Sequence, residues 1–332
     1  MGLTGRVTGA LEAAMPRAAP LSPARPVAQL PTTGGFARFA LANVVYNLGV
    51  IAWGAFVRAS GSGAGCGDHW PTCNGDVIPR APAIETVIEF THRLTSGLSL
   101  IGAVALFAWA WRAAPAGGRV RRAAGATLVF MLLEAAVGAA IVLLQKVGQD
   151  DSVGRAVIMA IHLCNTFLLM GAMALTAAFA SGAAAPLPRK NPISATLLGI
   201  ALMSTLVLGA SGAVTALGDT LFPVGSLAEG LAQDFSPTAH LLLRLRVFHP
   251  LLAVTTGGLV ALAAAAAAAT RPRARRAAAL VVGLFAAQIG LGLVNLGLMA
   301  PVPLQLAHLL LADLVWIALV LLAVPALQPR AA

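Results

Sequence analysis

Four histidines each interrupt a different apolar run: His92 in IEFTHRLTSG, His162 in MAIHLCNTFL, His249 in LRVFHPLLAV and His308 in LQLAHLLLAD. Neutral imidazole is a strong ligand for haem iron, and a haem held between helices needs a ligand from one or both faces. The flanking residues repeat in order. Gly54 precedes His92 by 38 residues and Gly212 precedes His249 by 37. From His92 to Glu134 is 42 residues, and from His249 to Gln288 is 39. The last step, to a second His, is 28 residues in the first copy and 20 in the second, a difference made mainly by the polar insertion KVGQDDSVG. A duplicated unit with a duplicated His pair predicts two haem sites. The alternative for any one intramembrane His is a hydrogen bond across helices, but four at matched repeat positions favour the ligand reading.

The elements that position these residues follow from composition. The chain is 58% hydrophobic and 10% charged, with a mean hydropathy of +0.85, whereas soluble domains carry about 25% charged residues. Apolar runs of bilayer length, roughly 17–25 residues, fall at 36–58, 86–111, 122–145, 155–180, 192–216, 239–269, 274–298 and 302–326. The predicted fold is an all-α polytopic membrane protein whose eight transmembrane helices form two pseudo-symmetric four-helix bundles. Residues 36–185 make the N-terminal half and 186–327 the C-terminal half. Residues 1–35, rich in Pro, Ala and Arg, read as a disordered cytoplasmic tail, and 328–332 as a second one. Glycine and alanine, Gly138 and Gly209 among them, suit close helix packing in lipid.

Charge gives the expected topology. Of 22 basic residues, 15 cluster in Arg6, Arg17, Arg25 and Arg38, in Arg112, Arg119, Arg121 and Arg122, in Arg189 and Lys190, in Arg271, Arg273, Arg275 and Arg276, and in Arg330. Eight spans place all of these on one face, which the positive-inside rule makes cytoplasmic. The opposite loops hold Asp68, Asp76, Glu85, Asp150, Asp151, Asp219, Glu229 and Asp234. The net charge of +10 is therefore a topology signal, and a nucleic-acid partner is not expected. With this orientation all four histidines enter from the outer face, about two to three turns inside even-numbered helices that run in one direction.

Between spans one and two, GAFVRASGSGAGCGDHWPTCNGDVIPR carries Cys66 and Cys73. On an oxidising outer face such a pair is expected to form a disulfide. A metal site of Cys66, His69 and Cys73 is the alternative, although its spacing matches no common zinc pattern. Cys164 reads as a buried packing thiol, His69 as a loop residue, and His240 as a structural or propionate-side residue at a helix mouth. After span five, Leu227, Leu231 and Phe235 have the spacing of a short interfacial helix.

The GAFVRASGSGAGCGDHWPTCNG loop, the EFTHR segment and one His in each even-numbered span resemble the haem A synthase family over roughly residues 36–326. The resemblance implies an enzyme of the cell inner membrane, both termini cytoplasmic, that oxidises the C8 methyl of haem O to a formyl group, making haem A for terminal oxidases. It implies His92 and His162 as iron ligands of the substrate haem, and His249 and His308 as ligands of a haem B cofactor that passes electrons. It also implies Glu89 as the essential acid and Cys66–Cys73 as the outer-loop disulfide. Implied partners are membrane lipid, a haem O synthase that supplies substrate and the terminal oxidase assembly machinery, with homo-oligomers left open. Two departures stand out: the second Cys pair that some members carry before span six is absent, and Glu134 stands where Gln is usual, as at Gln288.

The two halves differ beside their first histidines. Glu89 precedes His92 by three residues, on the same helical face, and Arg246 precedes His249 by three. An acid can take a proton during C–H oxidation. An arginine cannot, but it can pair with a haem propionate. Arg93, Arg244 and Arg246 are candidates for that pairing, with snorkelling to the membrane surface as the alternative. Two other functions remain in view. A cytochrome b acting as an electron-transfer or quinol oxidoreductase would commonly stack two ligands on one helix, unlike the single His per helix here. A transporter would share the repeat, although intramembrane acids are few: Glu89, Glu134 and Asp313.

Overall fold

A computed structural model describes residues 34–184, 186–188 and 191–328. Arg6, Arg17, Arg25, Arg189, Lys190 and Arg330, with the tail segments 1–33 and 329–332, lie outside the described residues. The structure is all-helical, and eight helical segments are long and apolar enough to cross a membrane. They are α1 (Gly34–Ala59), α2 (Ile84–Ala113), α3 (Arg119–Leu143), α4 (Val153–Ala180), α5 (Pro192–Leu221), the segment Leu241–Thr270, the segment Pro272–Gly297 and the last helix, Val302–Ala326. A short helix, α6 (Leu227–Asp234), follows α5 where Leu227, Leu231 and Phe235 predict one. Ser226 caps it, its hydroxyl accepting from Glu229 N–H, and the Glu229 carboxylate reaches back to accept from Gly225 N–H, one residue before the cap.

The sixth span is built in two pieces, α7 (Leu241–Arg246) and α8 (Phe248–Thr270). Pro250 is the cause: it has no N–H to give the Arg246 carbonyl, and its ring crowds that carbonyl. The remaining helices are α9 (Arg275–Gly297) and α10 (Val302–Ala326). The fifth span runs to Leu221 rather than ending near 216. Asp219 lies inside its last turn, tolerated because Arg246 pairs with it at 3.0 Å. Gly34 and Gly35, expected in the tail, open α1.

Core side chains separate by helix. Leu198, Ala201, Val260, Phe285 and Leu319 join α5, α8, α9 and α10, while Phe36, Ala40, Leu106, Ala124 and Phe179 join α1 to α4. A third cluster brings Trp316 of α10 against Met131, Phe167 and Met170. There the Phe167 and Trp316 rings stack at 5.4 Å, in space that Gly209 leaves open: a Cβ on it would meet Phe167 Cε2 at 2.7 Å. The outer surfaces of the spans expose large apolar residues such as Leu41, Ile101, Leu132, Val207 and Leu262, as a bilayer solvent requires.

The insertion that lengthens the first repeat folds on itself between α3 and α4. Ser152 caps α4 by accepting from Arg155 N–H, and Arg155 Nη1 donates to the carbonyls of Gly148 and Asp150 at 2.7 and 2.8 Å. Burial pushes the Asp150 carboxyl up, but hydrogen bonds from Ser152 and Lys146 outweigh it and hold it below its ordinary value.

Candidate functional site

All four histidines enter the bundle from the end that carries the loop between α1 and α2. His92 lies eight residues into α2, His162 nine into α4, His249 eight into the Leu241–Thr270 segment and His308 six into α10. At 1.5 Å per residue these depths are about 9–14 Å. Each imidazole is half-buried. The rings fall into two sets, with His92 in electrostatic reach of His162 and His249 in reach of His308.

Glycines make room for three of the four rings. A Cβ on Gly54 would stand 2.7 Å from Cε1 and 2.9 Å from Nε2 of His92. On Gly212 it would meet His249 Cε1 at 3.1 Å, and on Gly292 it would meet His308 Cε1 at 3.0 Å. Gly292 follows Gln288 by four residues, as Gly138 follows Glu134, yet nothing lies within 4 Å of a Cβ on Gly138. The first repeat therefore seats its second ring differently. His162 Nδ1 stands 3.4 Å from Glu134 Oε1, out of hydrogen-bonding alignment. Glu134 instead accepts from Asn165 Nδ2 and Thr166 Oγ1, both at 2.5 Å. In the second repeat, Gln288 Nε2 contacts His308 Nε2 at 3.1 Å and donates to the His308 carbonyl at 3.0 Å. A hydroxyl holds the third ring: Ser211 Oγ is 2.8 Å from His249 Nδ1, which leaves Nε2 free to ligate. Among the described residues, Nδ1 of His92, His162 and His308 is buried without a hydrogen-bond partner.

This donor chemistry fits a haem. Among the described residues, no three His, Cys, Asp or Glu side chains gather as a bare metal site would need. A porphyrin supplies its own equatorial nitrogens and asks the protein for axial ligands only. If a haem occupies the second set, a side chain longer than glycine at 212 must displace the ring that holds it. Overpacking of this kind typically costs about 1–3 kcal/mol, so Gly212→Val is expected to lower haem occupancy about tenfold or more by pyridine haemochrome. Wild-type occupancy would contradict this.

Glu89 is buried, 4% exposed, and clamps the α1–α2 loop to α2. Oε2 accepts from Cys66 N–H at 2.8 Å, while Oε1 accepts from Arg93 Nε at 3.1 Å and pairs with Arg93 Nη2. Arg93 Nη1 also donates to the carbonyls of His69 and Thr72, each at 2.6 Å. The loop lies so close to α2 that a Cβ on Gly65 would come within 2.5 Å of the Glu85 carbonyl.

Cys66 and Cys73 form a disulfide, so the alternative of a metal held by Cys66, His69 and Cys73 falls away. His69 instead stands 3.3 Å from Asp68. Differential alkylation with mass spectrometry should find one free thiol among the three cysteines, Cys164; two further alkylated positions would contradict the pairing. Cys164 Sγ packs 3.7 Å from the Leu206 carbonyl.

The other arginine candidates are also engaged. Arg246 binds Asp219 at 3.0 Å and Asp234 at 2.7 Å, and Arg244 donates to the Pro237 carbonyl. His240 caps α7 by accepting from Leu242 N–H, and its ring lies 5.1 Å from that of Phe222. An apolar recess of about 500 Å3 between α3, α4 and α5 is lined by residues including Leu133, Ile161, Cys164 and Ala210, and by none of the four histidines.

Sequence reasoning missed Ser211, Gly292 and Arg58. Gly292 had a signal in its fixed offset from Gln288. Ser211 had none, since its repeat counterpart is Trp53, whose indole donates instead to the Ile88 carbonyl at 3.2 Å. Asp313, noted only as an intramembrane acid, is fully buried with both carboxyl oxygens unpaired among the described residues.

Two relatives named "Protoheme IX farnesyltransferase", from two strains of Thermus thermophilus, are each 49% identical over 300 residues, which is 90% of this chain and 49% of theirs. The chain thus spans about half the length of these relatives. A protein named "Heme A synthase" from Symbiobacterium thermophilum is 34% identical over 194 residues, 56% of this chain and 60% of that protein. A "Heme A synthase" from Geobacillus kaustophilus is 42% identical over 115 residues, 35% of each. The profile of the cytochrome oxidase assembly proteins (COX15-CtaA) matches residues 37–320, a stretch that contains all eight spans nearly whole and every histidine considered above. By that match over most of its length, the chain belongs to the COX15-CtaA family of cytochrome oxidase assembly proteins.

Proposed function

We propose that the chain acts as a haem A synthase, oxidising the C8 methyl of haem O to a formyl group, with haem B as its bound cofactor. The observation that carries this reading is the separation of the four imidazoles into two sets at one depth, three of the rings seated on glycines. His92 and His162 hold the substrate haem within the half 36–185. His249 and His308 hold haem B within the half 186–327. Haem B, when bound, supplies one-electron redox chemistry.

The chain's own residues then divide the remaining work. Oxidation of the methyl carbon removes electrons, which must pass to an acceptor outside this chain, and releases protons; Glu89, one turn from His92, would accept one of these protons. Arg93 and the Cys66 N–H hold that carboxylate in place. Ser211 fixes the His249 ring with Nε2 free, while Gln288, which contacts His308 Nε2, would give up that contact for His308 to ligate through it. Arg93, Arg244 and Arg246, at the same end of the bundle as the histidines, would be the residues to pair with haem propionates, each beside the partners it already holds. The protein works in the cytoplasmic membrane with both termini on the cytoplasmic side. It takes substrate from a haem O synthase and delivers product to terminal oxidase assembly.

The Thermus relatives suggest one other activity, farnesyl transfer to protohaem. Such transfer uses a diphosphate, which Mg2+ and carboxylates usually bind. The intramembrane acids here stand on separate helices, and the matched half of those relatives corresponds to the oxidase assembly unit. Expression in a host that makes haem O but no haem A tests the proposal, with extracted haems separated by chromatography. A new haem A peak is expected. Haem O unchanged beside a folded, haem B-containing protein would refute it and favour an electron-transferring cytochrome b.

A further inference from the structure

Arg58 belongs to α1, in the first repeat, yet its guanidinium binds the second. Nη1 donates to the Ala216 carbonyl at 2.7 Å and to the Thr220 hydroxyl, both on α5, and Nη2 donates to Gln305 Oε1 on α10 at 2.9 Å. Gln305 is itself fixed, donating Nε2 to the Ala300 carbonyl at 2.6 Å. It lies one turn before His308 and on the same face of α10. Arg58 in turn lies one turn after Gly54, the residue beneath the His92 ring. Its neighbours leave its charge largely uncancelled. All three hydrogen-bond acceptors are neutral; Asp219, the carboxylate within its electrostatic reach, shares Arg246 with Asp234, and the cation Arg155 is also within reach, so these three arginines and two aspartates together keep one net positive charge.

The geometry points to Arg58 as a positioning residue for the second His pair: a cation supplied by the first repeat that raises the reduction potential of the haem held by His249 and His308. The inference rests on the haem B site proposed above. A fixed positive charge favours the reduced haem, which carries one positive charge fewer. Helix geometry puts Arg58 on the order of 10 Å from that site. At an effective dielectric constant of about 20, a unit charge at this distance changes the reduction equilibrium about tenfold.

Redox titration of the purified, haem B-loaded protein tests this. Arg58→Gln is expected to lower the midpoint potential by about 59 mV, the one-electron equivalent of a tenfold change, while Arg58→Lys, which keeps the charge, stays close to wild type. A haem B-containing Arg58→Gln protein with an unchanged potential overturns the inference, because a purely structural strap would not move this readout. If Arg58→Gln does not accumulate, Gln305→Glu decides: a carboxylate against Arg58 should also lower the potential, and no shift overturns the idea. A wild-type protein that binds no haem would instead sink the site on which the inference rests.

Discussion

His249→Ala and His308→Ala should each strip the tightly held haem B from the purified protein, while His92→Ala and His162→Ala leave most of it in place. The expectation follows from the separation of the rings. His249 and His308 lie within reach of each other, with Ser211 and Gln288 as partners from their own repeat. His92 and His162 form the other set, with Gly54 under one ring and Glu134 beside the other. If these imidazoles ligate iron, removing one takes away a ligand, and neither Ser211 nor Gln288 beside them matches imidazole as an iron ligand. Pyridine haemochrome spectra of the four variants, normalised to protein, would give the comparison. Equal haem B loss from all four would contradict separate sites.

Glu89→Gln is expected to leave a folded protein that keeps its haem B but makes haem A at least ~100-fold more slowly, the lower end of what a general base typically contributes. The carboxylate is positioned for this by its environment. It is buried beside the α1–α2 loop, takes the Cys66 N–H on one oxygen and Arg93 on the other, and lies one turn before His92. The same contacts give it a structural task, so activity alone does not separate the two roles. Gln can still accept from Cys66 N–H, but it leaves Arg93 with only its two carbonyl acceptors, and breaking a buried ion pair is costly. Haem B content and the Cys66–Cys73 disulfide therefore serve as controls for folding. Haem A production at the wild-type rate in this variant would rule out a catalytic carboxylate at position 89.

Much of this arrangement was legible from the residues. The eight spans follow from apolar run length because a bilayer leaves a helix no other way to satisfy its backbone. Helix ends shifted where side chains bond in ways hydropathy cannot register, as where Asp219 stays helical against Arg246, or where Pro250 splits the sixth span. The spacing of Gly54 from His92 and of Gly212 from His249 marked real contacts, since only glycine admits an imidazole so close to a neighbouring backbone. The partners of the rings were less visible. Ser211 has no counterpart in the first repeat, and Glu134 binds Asn165 and Thr166, which lie on the next helix. Arg58 could not be placed from the sequence because its acceptors lie 158 to 247 residues away, and two of the three contacts are to a carbonyl and a hydroxyl. The two repeats share their residue order, but nothing lies within 4 Å of a Cβ on Gly138 and His162 is set beside Glu134 rather than held by it, so they diverge there.

The central claim, that one set of imidazoles holds a cofactor and the other a substrate, is tested most directly by extracting and chromatographing the haems of the purified wild-type protein. Haem B close to one per chain, accompanied by smaller amounts of haem O, haem A or a hydroxylated intermediate, is the expected result. Haem B alone in every preparation, including those from cells that make haem O, would contradict it.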